Sequence, residues 1–119
     1  MDTRSLGQFG EDTAAKYLRR HGYKILDRNC RFRQGELDIV ASDRNYIIFA
    51  EVKLRKNSDF GEASEFVNSA KQRRLIAAAQ MYLQQHETEL QPRFDVIEIY
   101  APEGIATKKP EINHIENAF

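Results

Sequence analysis

Tyr46-Ile47-Ile48-Phe49-Ala50-Glu51-Val52-Lys53 runs apolar for five residues and then carries two opposite charges one residue apart. Upstream lies Gly35-Glu36-Leu37-Asp38-Ile39-Val40-Ala41, joined to it through the turn-forming Asp43-Arg44-Asn45. Both segments are rich in Ile, Val and Phe, which fit a pleated surface, so they read as strands over 37–42 and 46–54 of one hairpin. Ile39-Val40-Ala41 and Ile47-Ile48-Phe49-Ala50 are apolar at consecutive positions and therefore on both faces, the pattern of central strands covered on each side. Such strands need helices above and below, which selects an α/β fold.

The flanking sequence supplies them. Ser5-Leu6-Gly7-Gln8 has the form of a capping box, and Leu6, Phe9, Thr13, Ala14, Tyr17 and Leu18 recur at helical spacing, predicting a helix over about 5–21 that Gly22 stops. Glu11 shares a face of that helix with Ala14 and Leu18. Tyr23 to Phe32 alternates loosely and reads as a strand with an irregular middle. Asn57-Ser58-Asp59-Phe60-Gly61 is loop chemistry, a short turn is expected over 62–67, and Ser69-Ala70-Lys71-Gln72 is a second capping box. Leu75, Ile76, Ala79, Tyr82 and Leu83 then mark the buried stripe of a helix reaching about Gln85. Pro92 opens the next segment, Phe94 to Tyr100 gives a fourth strand ended by Pro102, and Ile112 to Ile115 reads as a short edge strand.

The expected order is α-β-β-β-α-β, with a last edge strand. A strand, a helix and a strand in sequence make a right-handed crossover, so the third and fourth strands lie parallel while the first three form an antiparallel meander. The expectation is a three-layer α/β core, a mixed central sheet flanked by helices, in one domain over 1–119.

Composition limits the function classes. With 18 basic and 18 acidic residues the formal net charge is zero, so nucleic acid would be held through a local patch rather than by bulk charge. No apolar run approaches the length of a membrane span, and the N-terminal residues lack a secretory pattern, so a cytoplasmic location without membrane association is expected. One cysteine, Cys30, and three scattered histidines do not make a zinc framework, so a bound metal would be a hard, oxygen-held one.

The chemistry concentrates at the ends of the two central strands. If Arg44-Asn45 is a two-residue hairpin loop, Asp38 lies directly opposite Glu51 and Glu36 opposite Lys53, with Glu51 and Lys53 on one face. Directly opposed side chains are close enough for Asp38 and Glu51 to share a divalent cation, and a cation removes the repulsion between them. Lys53 would then position a water or stabilise charge on a phosphoryl group, and Glu11 could add a third carboxylate. The alternative is a set of exposed cross-strand ion pairs worth under about 1 kcal/mol. An acid-x-Lys triplet alone decides nothing, since roughly one arises by chance at this composition. The doubly covered strands favour the site, because charges there are costly to desolvate without a purpose.

At these residues the chain resembles the PD-(D/E)xK, or restriction-endonuclease-like, nuclease superfamily. More closely it resembles the YraN-like family of small bacterial proteins, themselves similar to archaeal Holliday-junction resolvases. The resemblance is carried by Gly7 through Glu11, Gly22-Tyr23, Arg28-Asn29, Gly35-Glu36-Leu37-Asp38, Phe49-Ala50-Glu51-Val52-Lys53 with Arg55, Phe60-Gly61, Lys71, Arg93-Phe94-Asp95-Val96, and His114 to Phe119. It implies a Mg2+- or Mn2+-dependent nuclease acting on DNA, with branched or structured DNA in view. Asp38, Glu51 and the carbonyl of Val52 would hold the metal, Lys53 would be the catalytic lysine and Glu11 an accessory acid. Leu37 stands where the superfamily pattern has proline, a position without chemistry. Resolvase-like enzymes also imply a homodimer. The other functions considered are a nucleic-acid-binding protein that keeps the fold without catalysis and a protein-interaction module using the same sheet.

Arg28, Arg31, Arg33, Arg55, Lys56, Lys71, Arg73 and Arg74 flank the strands in sequence. Arg31, Arg33, Arg55, Lys71 and Arg74 are the candidates for contacts to a nucleic-acid backbone, set against ordinary solvated cations. Tyr23, Phe32, Tyr82 and Tyr100 read as core aromatics rather than stacking platforms, with Phe60 the exception in its polar loop. Cys30 reads as a small buried hydrophobe and Asp95 as a structural partner.

Overall fold

The computed structural model describes residues 3–56 and 68–119; the expected loop at 57–61, the turn over 62–67 and Phe60 lie outside them. The elements are α1 (Thr3–Arg20), β1 (Lys24–Phe32), β2 (Gly35–Ser42), β3 (Tyr46–Arg55), α2 (Ser69–Gln85), β4 (Gln91–Tyr100), a 3-10 turn (Gly104–Ala106) and β5 (Glu111–Ile115). The described residues form a five-stranded sheet in the order β1-β2-β3-β4-β5. Only β3 and β4 pair in parallel, and the other neighbours are antiparallel. This is the mixed α/β sheet the sequence predicts, edge strand included.

The hairpin that sets the register forms as its turn chemistry requires. Asp43 Oδ1 accepts the N–H groups of Asn45 and Tyr46, each at 2.8 Å, and the Asp43 N–H donates to the Tyr46 carbonyl. Arg44-Asn45 is therefore the two-residue loop, and the ladder runs from Ser42↔Ile47 to Ile39↔Ala50.

Each face of the sheet carries its own core. On one side Leu37, Val40, Ile47, Phe49 and Val96 pack with Leu75, Ala78, Ala79 and Tyr82 of α2. On the other, Ile39, Ala41, Ile48, Ala50, Ile97 and Ile99 pack with Ala14, Ala15 and Leu18 of α1. Two covered faces account for the consecutive apolar residues of β2 and β3.

Helix boundaries differ from the sequence expectation in identifiable ways. α1 begins at Thr3, so Ser5 sits inside the helix and not at its cap. Its end is as expected: Gly22 adopts φ 89°, and Tyr23 N–H to the Leu18 carbonyl with Gly22 N–H to Arg19 makes a Schellman closure. The cap of α2 is Asn68, whose Oδ1 accepts the Lys71 N–H at 2.9 Å, because an asparagine one residue before Ser69 serves equally well. Ala78 takes the buried place expected of Ile76, which is 39% exposed. β4 starts at Gln91, and Pro92 is tolerated within it because the pairing with β5 begins only at Val96.

One glycine fixes how β2 meets α2. A Cβ on Gly35 would stand 2.7 Å from the carbonyl oxygen of Arg74, so the start of β2 and the first turns of α2 are in backbone contact. Gly35→Ala is expected to destabilise the protein by about 1–3 kcal/mol, since backbone must move to admit the methyl. Urea denaturation measures this, and a change within experimental error would show that the two elements part without cost.

Candidate functional site

The site lies where two central strands fork. The β2–β3 ladder ends at Ile39↔Ala50, one position short of Asp38 and Glu51; β2 then continues along β1 to Gly35, so Glu36 pairs with Arg31 and not with Lys53 as expected, while β3 stays on β4 to Arg55. At the fork the Val52 N–H donates to Asp38 Oδ2 at 2.9 Å, so a side chain satisfies the backbone group. On β1 the pairing steps from Arg28↔Ile39 to Cys30↔Leu37, with Asn29 between them at φ 53°. Asparagine is among the few residues that tolerate this left-handed conformation.

Alternation along β3 turns Glu51 and Lys53 to the α2 face and Val52 to the α1 face, where it packs against that core. Glu51 is 7% exposed. Its Oε1 lies 2.5 Å from Lys71 Nζ and 4.0 Å from Lys53 Nζ. Burial, and next the charge of Glu51, push the Asp38 carboxyl up to about 7 against the opposing Val52 N–H bond. Burial and the neighbouring Lys71 pull Lys53 below its ordinary value. Burial alone would lower Lys71 too, but its contacts with Glu51 and Lys53 and the charges of Glu51 and Asp38 outweigh it and raise that ammonium.

Asp38 separates two openings. A groove of about 610 Å³ on the α1 side is lined by Gly7, Gly10, Glu11, Asn29, Arg31 and Asp38. A smaller cleft of about 180 Å³ on the α2 side is lined by Gly35, Glu36, Asp38, Glu51, Lys71 and Arg74. Glu11 thus borders the groove with Asp38, but its Oε1 is engaged by Arg28 Nε at 2.7 Å and Asn29 Nδ2 at 3.1 Å.

The structure divides the basic candidates. Arg55 is drawn to Glu98 at 2.7 Å with its side chain 15% exposed, and Lys71 is bound to Glu51. Arg28, flanking the same region, is paired with Glu11 and Asp12. Arg31, Arg33, Arg73 and Arg74 are exposed, Arg31 approaching Glu36 at 3.5 Å. The residues that sequence reasoning did not single out are Asn29, which holds Glu11, and Glu98, which holds Arg55. Asn29 left a trace in the irregular middle of β1; Glu98 left none.

The donor set suits a hard cation in part. Among the described residues no three His, Cys, Asp or Glu side chains are grouped to hold a metal ion. Two adjoining carboxylates, one of them resisting ionisation beside the other, are nevertheless the arrangement that a small divalent cation relieves. Mg2+ is commonly held by one or two carboxylates with the rest of its shell water. Asp38 and Glu51, with the Val52 carbonyl, are the groups that would hold it.

Fold and site together define an α/β protein with a carboxylate pair and two lysines where two buried strands separate. The chain belongs to the uncharacterised protein family UPF0102, whose model matches residues 10–99, a span that includes every candidate residue named above. This is the YraN-like family that the sequence motifs resemble. Similar proteins include a UPF0102 protein of Syntrophotalea carbinolica, 50% identical over 116 residues that cover 97% of this chain and 91% of that protein. One from Geobacter metallireducens is 45% identical over 120 residues, 100% of this chain and 95% of the relative. Another, from Caldanaerobacter subterraneus, is 42% identical over 121 residues, 100% and 98% respectively. Among the described residues no helix is long and apolar enough to cross a membrane.

Proposed function

We propose that this protein is a metal-dependent nuclease of the PD-(D/E)xK kind that hydrolyses phosphodiester bonds in DNA, with branched or structured DNA as its substrate class. The observation that carries this reading is one cleft lined by Asp38, Glu51 and Lys71, with Lys53 4.0 Å from the same Glu51 carboxylate. Mg2+ or Mn2+ bound there would supply a Lewis acid and a more acidic water. Lys53, which has the lowered ammonium, orients the attacking water or meets charge building on the phosphoryl oxygens. Arg31, Arg33 and Arg74 are the exposed cations that would position the DNA backbone. Glu11 acts as a positioning acid through Arg28 and Asn29.

Purified protein with Mg2+ or Mn2+ is expected to cut at least one of single-stranded, duplex, flap and four-way DNA. Asp38→Ala and Glu51→Ala are each expected to lose that activity, and undiminished cutting by either variant would overturn the assignment. A second reading, a nucleic-acid-binding protein without catalysis, draws on the hold of Lys71 on Glu51, which suits a site closed to metal. Calorimetry separates the two: salt-sensitive DNA binding without Mg2+ or Mn2+ binding favours the second.

A further inference from the structure

Lys71 occupies an unusual place for a phosphate-binding lysine. The early turns of α2 lie against the start of β2, where Gly35 meets the Arg74 backbone, and the cap at Asn68 fixes the first of them. From there Lys71 reaches to 2.5 Å from Glu51 Oε1, closer than Lys53 on the same strand at 4.0 Å. The Lys71 side chain keeps 27% exposure while that of Glu51 keeps 9%, so the lysine is the more open of the two to solvent. It shares its cleft with Asp38 and Arg74. A divalent cation between Asp38 and Glu51 would need the same Glu51 carboxylate, and a neighbouring ammonium opposes it.

We propose that Lys71 is a tethered counter-ion that neutralises Glu51, competes with a divalent cation for that carboxylate, and transfers to a substrate phosphate when the cation takes its place. The proposal rests on the metal-dependent reading above. Its consequence is linkage: phosphate accepts the lysine that metal displaces, so metal and phosphodiester each favour binding of the other. Lys71 is a positioning residue in this scheme, acting through Glu51.

Mn2+ binding to the full chain, followed by calorimetry and electron paramagnetic resonance without DNA, tests this apart from cleavage. Lys71→Met is expected to bind Mn2+ about tenfold more tightly than wild type once the competing charge is gone. Lys71→Arg keeps a cation and is expected to retain the weaker wild-type affinity. Circular dichroism verifies that each variant is folded, and Lys71→Gln serves if the methionine variant is not. Unchanged or weaker Mn2+ affinity in the uncharged variant overturns the competition while leaving the metal site standing. Absence of Mn2+ binding in all folded variants overturns the metal site, and the competition falls with it.

Discussion

Asp38→Asn is expected to stabilise the metal-free protein at pH 8 by on the order of 2–4 kcal/mol while abolishing the cleavage proposed above. The Asp38 carboxyl is raised from an ordinary value of 3.8 to about 7, chiefly by burial and then by Glu51. At about 1.4 kcal/mol for each tenfold change, the full shift corresponds to about 4 kcal/mol, an upper bound because Asp38 and Glu51 titrate together. Between pH 4 and 7 the folded chain holds a proton that the unfolded chain has released. Stability therefore falls as pH rises through that window and stays at the lower level above it. Asparagine carries no charge, and its carbonyl can still accept the Val52 N–H. The gain should be absent near pH 4 and complete by pH 8. Urea denaturation in the presence of a chelator at both pH values measures it, and a variant no more stable than wild type at pH 8 would overturn the assignment of Asp38 as a strained carboxylate. A residue that weakens the fold yet completes an oxygen-rich site is what a trade of stability for function produces.

Much of this site was legible before the structure because hairpin geometry is nearly deterministic. A two-residue loop at Arg44-Asn45 fixes the register through Ile39↔Ala50, the pair that immediately precedes Asp38 and Glu51. What pairing arithmetic cannot convey is that the strands part at this point, so that Asp38 binds the Val52 N–H and opens on two clefts. Residue type and place in sequence make Lys71 a candidate for a nucleic-acid backbone, and do not reveal its pairing with Glu51. Arg55 shows the opposite limit. Its partner, Glu98, lies on β4, and side-chain pairing between strands 43 residues apart depends on rotamers that sequence periodicity does not specify. α1 starts two residues before the expected 5 and the cap of α2 lies one residue before the expected Ser69, because several residues near a helix start can serve as its cap and the tertiary contacts choose among them.

Removing the carboxylate of Asp95 is expected to cost 3–5 kcal/mol, the largest stability loss of any single change considered, as follows from stranding a buried guanidinium (about 3–5 kcal/mol). Asp95 is fully buried on the α1 face, away from Glu51 and Lys71 on the α2 face. It accepts two bonds from Arg93, at 2.9 and 2.8 Å, one from His114 Nε2 at 2.6 Å and one from the Asn117 N–H at 3.0 Å. Burial would raise its pKa, but these four donors outweigh it and keep the group ionised. His114, with its Nε2 proton on Asp95, accepts from the Tyr17 hydroxyl through Nδ1 at 3.1 Å. Arg93 also donates to Tyr23 and lies 4.8 Å above the Tyr46 ring. One carboxylate thus ties α1, β4 and β5 to the C-terminal residues, where the Ala118 N–H donates to the Phe94 carbonyl and the Phe119 ring stacks on that of Phe94. In Asp95→Ala, Arg93 keeps a charge with little solvent to receive it and only the exposed Glu116, at 3.9 Å, as an ionic partner, and the segment from β5 onward loses its anchor. Urea denaturation should show the full loss, and amide exchange should speed most over residues 111–119. The double variant Arg93→Met with Asp95→Leu removes both charges and is expected to be more stable than Asp95→Ala alone, because no unpaired ion remains. A loss under about 1 kcal/mol in Asp95→Ala, or a double variant no better than the single, would mean that water reaches Arg93 and that the network does not hold the C-terminal strand.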